Sequence, residues 1–293
     1  MKKPGDLAAR LAVALVGIPV VLGALWAGGW VLSLLVALVA VLGSREFYNL
    51  ARLRGAEPFD VMGSAAAGGL VLLAGAEPVF EPFAARALWI ILAVGGASLA
   101  RSLRARWPEG SPLAAFTSTL GGIVYVGLPL SFVPLLRALG DGALAEASGA
   151  PGAGFFVPMA FVLLPLLTTW AGDSAAYFVG RSIGRRPLTW VSPKKTWEGS
   201  LGSVLGSVAV SVLVGGWLGY DARAMAGFGL VADLSGQGGD LIESYVKRAL
   251  GVKDSAKTFG EIGGVLDLLD ALLLSAPAAF LWAHLIVARG GFH

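Results

Sequence analysis

Nine predominantly apolar runs, near 8–27, 30–48, 60–76, 84–100, 112–136, 155–179, 199–219, 224–240 and 264–288, follow one another along this chain of 293 residues. A run of about 20 apolar residues in helical form crosses roughly 30 Å of hydrocarbon. In lipid the backbone must satisfy its own hydrogen bonds, so such runs fold as helices. The expected fold class is therefore all-α, a polytopic integral membrane protein with about nine transmembrane helices. A mean hydropathy of +0.75 with only 14% charged residues argues against a soluble domain. The third run is short and the eighth is interrupted by glycines.

The start, MKKPGDLAARLAVALVGIPVVLGALWAGG, has the basic head and apolar body of a secretory signal. Its apolar part exceeds the usual signal core, so it reads as an uncleaved first span. With nine spans the termini lie on opposite sides. A cytoplasmic N-terminus gives that side Lys2, Lys3, Arg10, Arg45, Arg52, Arg54, Arg101, Arg104, Arg106, Arg181, Arg185, Arg186, Lys194, Lys195, Lys247, Arg248, Lys253 and Lys257, eighteen of the 22 basic residues. Arg86, Arg137, Arg223 and Arg289 remain outside. Such asymmetry is the positive-inside pattern, and it predicts N-in, C-out in the cell's inner (cytoplasmic) membrane. The Gly/Ala-rich stretch at 140–154 reads as a flexible outer loop. No repeat and no extramembrane domain is visible, so residues 1–293 form a single membrane domain.

Several chemistries fall away on composition. There is no cysteine, and the two histidines, His284 and His293, have no metal-ligand spacing. Disulfides, thiolate catalysis and Cys-ligated zinc are excluded. A net charge of +3 is accounted for by topology and anionic head groups, and no nucleic-acid partner is expected.

Acids inside the apolar runs need another explanation. Asp173 lies in TTWAGDSAAYFVG, Asp240 in SGQGGDLIESYVKR, and Asp267 with Asp270 in GGVLDLLDALLLSAP. An Asp at a span centre costs about 2.5–3.5 kcal/mol on insertion scales, less near an end, so compensating cations are expected. The i, i+3 spacing of Asp267 and Asp270 puts both carboxylates on one helix face, about 5–6 Å apart at Cβ. Like charges that close favour a bound cation, and Mg²⁺ characteristically joins a few carboxylates to substrate phosphates. Helix-capping acids near the interface are the plainer alternative. Asp240, Ser244 and Lys247 form one helical stripe with Glu243 beside it, and Gly236, Gly238 and Gly239 permit close backbone approach or a break. An intrahelical Glu243–Lys247 pair would leave Asp240 without a partner. Metal-binding acids with lysines and arginines on the same side are the parts needed to move a phosphate group. No GxxxxGK[ST] loop is present, and an anionic phosphate nucleophile would need no histidine base.

Two stretches carry a family resemblance. GDSAAYFVGRSIGRRPLTWVSPKKTWEG, and GDLIESYVKRALGVKDS followed by GGVLDLLD, resemble the signatures of the phosphatidate cytidylyltransferases, over roughly residues 165–275. The N-terminal half is similar only in its pattern of spans. Departures exist: Ala256, Gly260-Glu261-Ile262 and Leu268 stand where the family usually has Gly, Pro-Gly-His and Arg. No role of that histidine or arginine transfers. The resemblance implies condensation of CTP with phosphatidate to CDP-diacylglycerol and pyrophosphate, at a site facing the cytoplasm. It implies that Asp240, Asp267 and Asp270 hold Mg²⁺ and a possible second metal ion, with Asp173 supporting that site or the nucleotide. Ser192, Lys194, Lys195 and Thr196 would contact CTP phosphates, with Arg181 nearby; Lys247, Arg248 and Lys253, beside Ser244, would neutralise the lipid phosphate or pyrophosphate. Catalytic weight falls on Asp240, Asp267, Lys194 and Lys195. Residues 155–288 would hold the catalytic helices and loops, 1–140 serving packing or a homodimer. A polyprenol kinase or an ether-lipid cytidylyltransferase would share these features, and a transporter would use buried acids differently.

Overall fold

The computed structural model describes residues 4–106, 111–146, 153–256, 258 and 263–288. Lys2, Lys3, Lys257, Gly260, Glu261, Ile262, Arg289 and His293 lie outside them. The helices are α1 (Pro4–Ala27), α2 (Gly29–Arg52), α3 (Asp60–Ala76), α4 (Phe80–Arg106), α5 (Pro112–Gly122), α6 (Leu128–Glu146), α7 (Ala153–Ile183), α8 (Trp197–Trp217), α9 (Ala222–Ala249) and α10 (Val265–Ala288). A π turn, Ile123–Gly127, joins α5 to α6. Pro129 follows it and has no N–H to continue the ladder, which accounts for the change of register there. Among the described residues the only β pairing is an isolated bridge, Pro187 to Thr196.

Each expected apolar run falls on a helix, with α5, the π turn and α6 making one of them. Among the described residues six stretches are long and apolar enough to cross a membrane: Gly29–Arg52, Phe80–Ala105, Pro112–Gly142, Pro158–Ile183, Trp197–Trp217 and Val265–Ile286. Leu15–Ala27 and Asp60–Ala76 are shorter apolar helices. The protein is thus an all-helical polytopic membrane protein. The run at 224–240 is not among the six, because α9 also carries Asp233, Gln237 and Asp240. The stretch expected as a loop at 140–154 is largely helical: α6 extends to Glu146 and α7 begins at Ala153, leaving 147–152 outside the described residues.

Contacts divide the chain into two units, one of residues 1–135 and 249–269, the other of 136–248 and 270–293. In the first, α2 and α3 run antiparallel, since Gly63 lies against Tyr48, Gly68 against Val41 and Gly75 against Ser33. Tyr48 is fully buried, and its hydroxyl donates to the Thr119 carbonyl at 3.0 Å. The Ser44 hydroxyl donates to Ser64 Oγ at 3.1 Å. Small residues at these contacts let backbones approach where lipid offers no hydrophobic drive for association.

In the second unit α7, α8, α9 and α10 pack antiparallel in sequence order. Gly199 meets Gly180, Gly202 meets Val179 and Gly206 meets Ala175 across α7 and α8. Ser203 and Ser207 meet Asp233, and Ser211 meets the Met225 carbonyl, across α8 and α9. Gly239 packs on Asp270 and Gly227 on Trp282 across α9 and α10. Gly219, at φ +86°, closes the end of α8 as the Tyr220 N–H donates to the Gly215 carbonyl at 2.9 Å. Many large apolar side chains face outward, Phe178 and Leu213 among them, as expected where acyl chains are the solvent.

Candidate functional site

The site forms where the basic connector between α7 and α8 folds over the start of α8. The Leu188 N–H donates to the Lys195 carbonyl at 2.7 Å, and the Trp197 N–H to the Arg186 carbonyl at 3.0 Å. Glu198 pins the other limb, its Oε2 accepting from the Arg185 and Arg186 N–H groups at 3.1 and 3.4 Å. Thr196 caps α8, its Oγ1 accepting from the Gly199 N–H at 3.1 Å. The connector backbone is thereby closed into a short turn, with Arg185, Arg186 and Lys194 exposed on it and Lys195 half-buried.

Under this turn lies a cavity of about 510 Å³ lined by Asp173, Tyr177, Arg181, Ser192, Lys194, Lys195, Thr196, Ser200 and Gln237, among others. Six residues singled out from sequence, Asp173, Arg181, Ser192, Lys194, Lys195 and Thr196, meet here. The first turn of α8 adds a positive dipole end to the lysines, a setting that favours anions. Arg181 donates to the Tyr177 hydroxyl at 2.6 Å and lies over its ring.

Lys195 Nζ forms an ion pair with Asp240 Oδ2. This is the cationic partner that Asp240 needed, and it ties the connector to α9. The Ser244 hydroxyl donates to Asp240 Oδ1 at 3.4 Å. Asp173 feels the charges of Lys195, Asp240 and Asp233. Around α10, Asp270 feels Asp240, Glu243 and Lys247 of α9. Lys247 Nζ reaches Glu243 Oε2 at 3.1 Å, so the expected intrahelical pair exists beside the Lys195–Asp240 pair. The glycines before Asp240 do not break α9. Gly239 instead lies so close to the Asp270 carbonyl that a methyl there would overlap it. Arg248 is exposed at the end of α9.

Asp267 and Lys253 belong to the first unit. Asp267 Oδ2 accepts from the Ser255 N–H and hydroxyl, both at 2.8 Å, and from the Gly264 N–H at 2.7 Å. Lys253 is exposed. Among the described residues no three or more Asp, Glu or His side chains form a ready metal cage. The donor set of Asp240 and Asp270 still fits Mg²⁺, which commonly takes one or two carboxylates and fills its octahedron with substrate phosphates and water.

Two features went unnoticed in the sequence. Asp233, 3% exposed, accepts from the Ser203 and Ser207 hydroxyls, each at 2.7 Å, and from Gln237 Nε2 at 2.6 Å. Gln237 Oε1 in turn accepts from the Ser200 hydroxyl at 2.5 Å. The signal was present: residues 233, 237, 240, 244 and 247 make one stripe of α9, of which only the last three were singled out. The other is Glu46, buried in α2. Its position at the end of an apolar run disguises it as an interfacial acid.

A buried carboxylate network beside a lysine-rich, anion-favouring cavity, on membrane helices, defines a membrane enzyme of phosphate-group transfer. A family model described as the cytidylyltransferase family matches residues 8–286, and the chain belongs to that family. The match extends well beyond residues 165–275. A phosphatidate cytidylyltransferase of Synechocystis is 32% identical over 292 residues, covering 95% of this chain and 97% of its own. A chloroplastic phosphatidate cytidylyltransferase of Arabidopsis thaliana is 30% identical over 95% of this chain and 74% of its own. A phosphatidate cytidylyltransferase of Staphylococcus aureus is 26% identical, with 92% and 95% covered.

Proposed function

We propose that this protein is a CTP-dependent nucleotidyltransferase that condenses CTP with phosphatidate, yielding CDP-diacylglycerol and pyrophosphate for phospholipid synthesis. A phosphate oxygen of the lipid attacks the α-phosphorus of CTP; the bond from that phosphorus to the β-phosphate bridging oxygen breaks, and pyrophosphate leaves with its electron pair. The observation that carries this reading is the cavity itself, where Ser192, Lys194, Lys195 and Thr196 meet Asp173, and Lys195 pairs with Asp240.

In this reading Ser192, Lys194, Lys195 and the first turn of α8 grip the triphosphate, with Arg181 at the cavity wall. Thr196 keeps a hydroxyl proton to donate while its oxygen caps the helix. Asp240 and Asp270 would hold Mg²⁺, and Ser244 steadies Asp240. Asp267 is proposed as a further ligand on its spacing from Asp270 and on its motif, as Lys253 is proposed as a phosphate contact on its motif. When bound, the ion would neutralise charge on the phosphoryl oxygens. Lys247 ends the α9 stripe, the exposed Arg248 follows it, and the two would meet the lipid phosphate or the departing pyrophosphate. Asp173, beside Lys195, would support that lysine or the nucleotide. Nine spans with a cytoplasmic N-terminus place the connector and the site on the cytoplasmic side, supported by the distribution of basic residues.

Purified protein in detergent with Mg²⁺ and phosphatidate should release pyrophosphate from CTP faster than from ATP, GTP or UTP. Asp240→Asn should abolish release with the fold intact. Preference for a polyprenol or an ether-lipid acceptor over phosphatidate would assign the protein to a sister activity. Substrate flux in sealed vesicles without CTP consumption would point to transport.

A further inference from the structure

The first turn of α10 is capped from a distant part of the chain. Gly264 is the residue before this helix and has no side chain with which to cap it. Asp267, at the third helical position, reaches back to the Gly264 N–H at 2.7 Å, which is one half of a capping box. The reciprocal half is missing from the local sequence. Glu46 of α2 supplies it: its Oε2 accepts from the Leu266 N–H at 3.0 Å and from the Ser255 hydroxyl at 3.2 Å, and its Oε1 accepts from the Thr258 hydroxyl. A methyl on Gly264 would overlap both Glu46 Oε2 and Ser255 Oγ, so glycine is required because the glutamate occupies the capping place. Glu46 is only 6% exposed, and its partners lie more than 200 residues away in sequence.

We infer that Glu46 is a positioning residue for Asp267. It holds Ser255, whose hydroxyl lies within reach of both carboxylates, and fixes the helical turn from which Asp267 projects. The single hydroxyl proton serves one carboxylate at a time, so the Ser255 and Gly264 N–H groups keep Asp267 in place when that proton turns to Glu46. This inference rests on the assignment of Asp267 as a metal ligand.

The test uses the full chain in detergent, with Mn²⁺ binding followed by electron paramagnetic resonance and backbone amide exchange measured at Ser255 and Leu266. Glu46→Gln keeps volume but offers one acceptor oxygen instead of two. It should weaken Mn²⁺ binding about ten-fold, in the range of changes to groups that orient metal ligands. It should also speed exchange at Leu266 and lower kcat while leaving KM for CTP within about two-fold. Glu46→Asp should recover part of the loss. Glu46→Ala, which removes both acceptor oxygens, should lose more than Glu46→Gln. If Glu46→Gln fails to fold, Thr258→Val removes one donor and should show the same effects on a smaller scale. Wild-type Mn²⁺ affinity and kcat in Glu46→Gln, even with a lowered Tm, would overturn the inference and leave a purely structural acid. Wild-type Mn²⁺ affinity in Asp267→Asn would overturn the metal assignment itself, and with it this inference.

Discussion

At the scale of single residues, Lys195 and Asp233 do different work. Lys195 joins the lysine-rich cavity to α9 through Asp240, and an ammonium placed there can follow charge as it shifts onto a leaving phosphate. Lys195→Ala should lower kcat/KM for CTP by about 10²–10³, the usual loss when one electrostatic stabiliser of a transition state is removed. Steady-state pyrophosphate release measures this. Among the described residues Asp233 takes its hydrogen bonds from neutral donors, two serine hydroxyls and one amide. Asp233→Ala leaves these buried donors unsatisfied and should cost about 1–3 kcal/mol of stability, read from unfolding in detergent. The Gln237 amide, held by Asp233 and Ser200, would lose its fixed orientation at the cavity wall. Among pairs of interacting residues, those close in sequence were legible beforehand, as with Glu243 and Lys247. Lys195 with Asp240, 45 residues apart, was legible only as two halves, an acid needing a cation and a lysine cluster needing a reason. Glu46 was not legible at all, because nothing local distinguishes a capping acid that serves a helix 220 residues downstream.

At the scale of elements, glycines decide how closely α9 and α10 approach. Gly239 and Gly238 are neighbours in sequence with opposite surroundings. A methyl on Gly239 would overlap the Asp270 carbonyl, while one on Gly238 would only touch Leu274 at 4.0 Å. Gly238→Ala should therefore gain up to about 1 kcal/mol from helix propensity. Gly239→Ala should lose about 1–3 kcal/mol from overpacking despite the same propensity gain. Thermal unfolding of the two variants side by side checks the difference in sign. Sequence left two options open at these glycines, a break or close approach, and tertiary packing chose the second. The apolar runs were readable because span length and hydropathy are local properties. The extent of α6 and α7 was not, because Gly and Ala in GDGALAEASGAPGAG satisfy turn and helix criteria alike, and helical continuity prevailed up to Glu146 and from Ala153.

At the scale of the whole molecule, the protein is a helical membrane protein, and the proposed cytoplasmic side of its basic connector rests on the distribution of basic residues. The absence of cysteine permits topology mapping without background. Arg185→Cys in the connector should react with an impermeant maleimide only in inside-out vesicles, and Gly142→Cys near the end of α6 only in right-side-out ones. The reverse pattern would move the site to the other side of the membrane. The most direct measurement follows two labels through one turnover, with phosphatidate, Mg²⁺ and CTP labelled with ³²P at either the α or the γ position. The account predicts that α-label passes into the lipid phase as CDP-diacylglycerol while γ-label leaves in pyrophosphate. Transfer of γ-label into lipid, or no consumption of CTP with phosphatidate present, would contradict it.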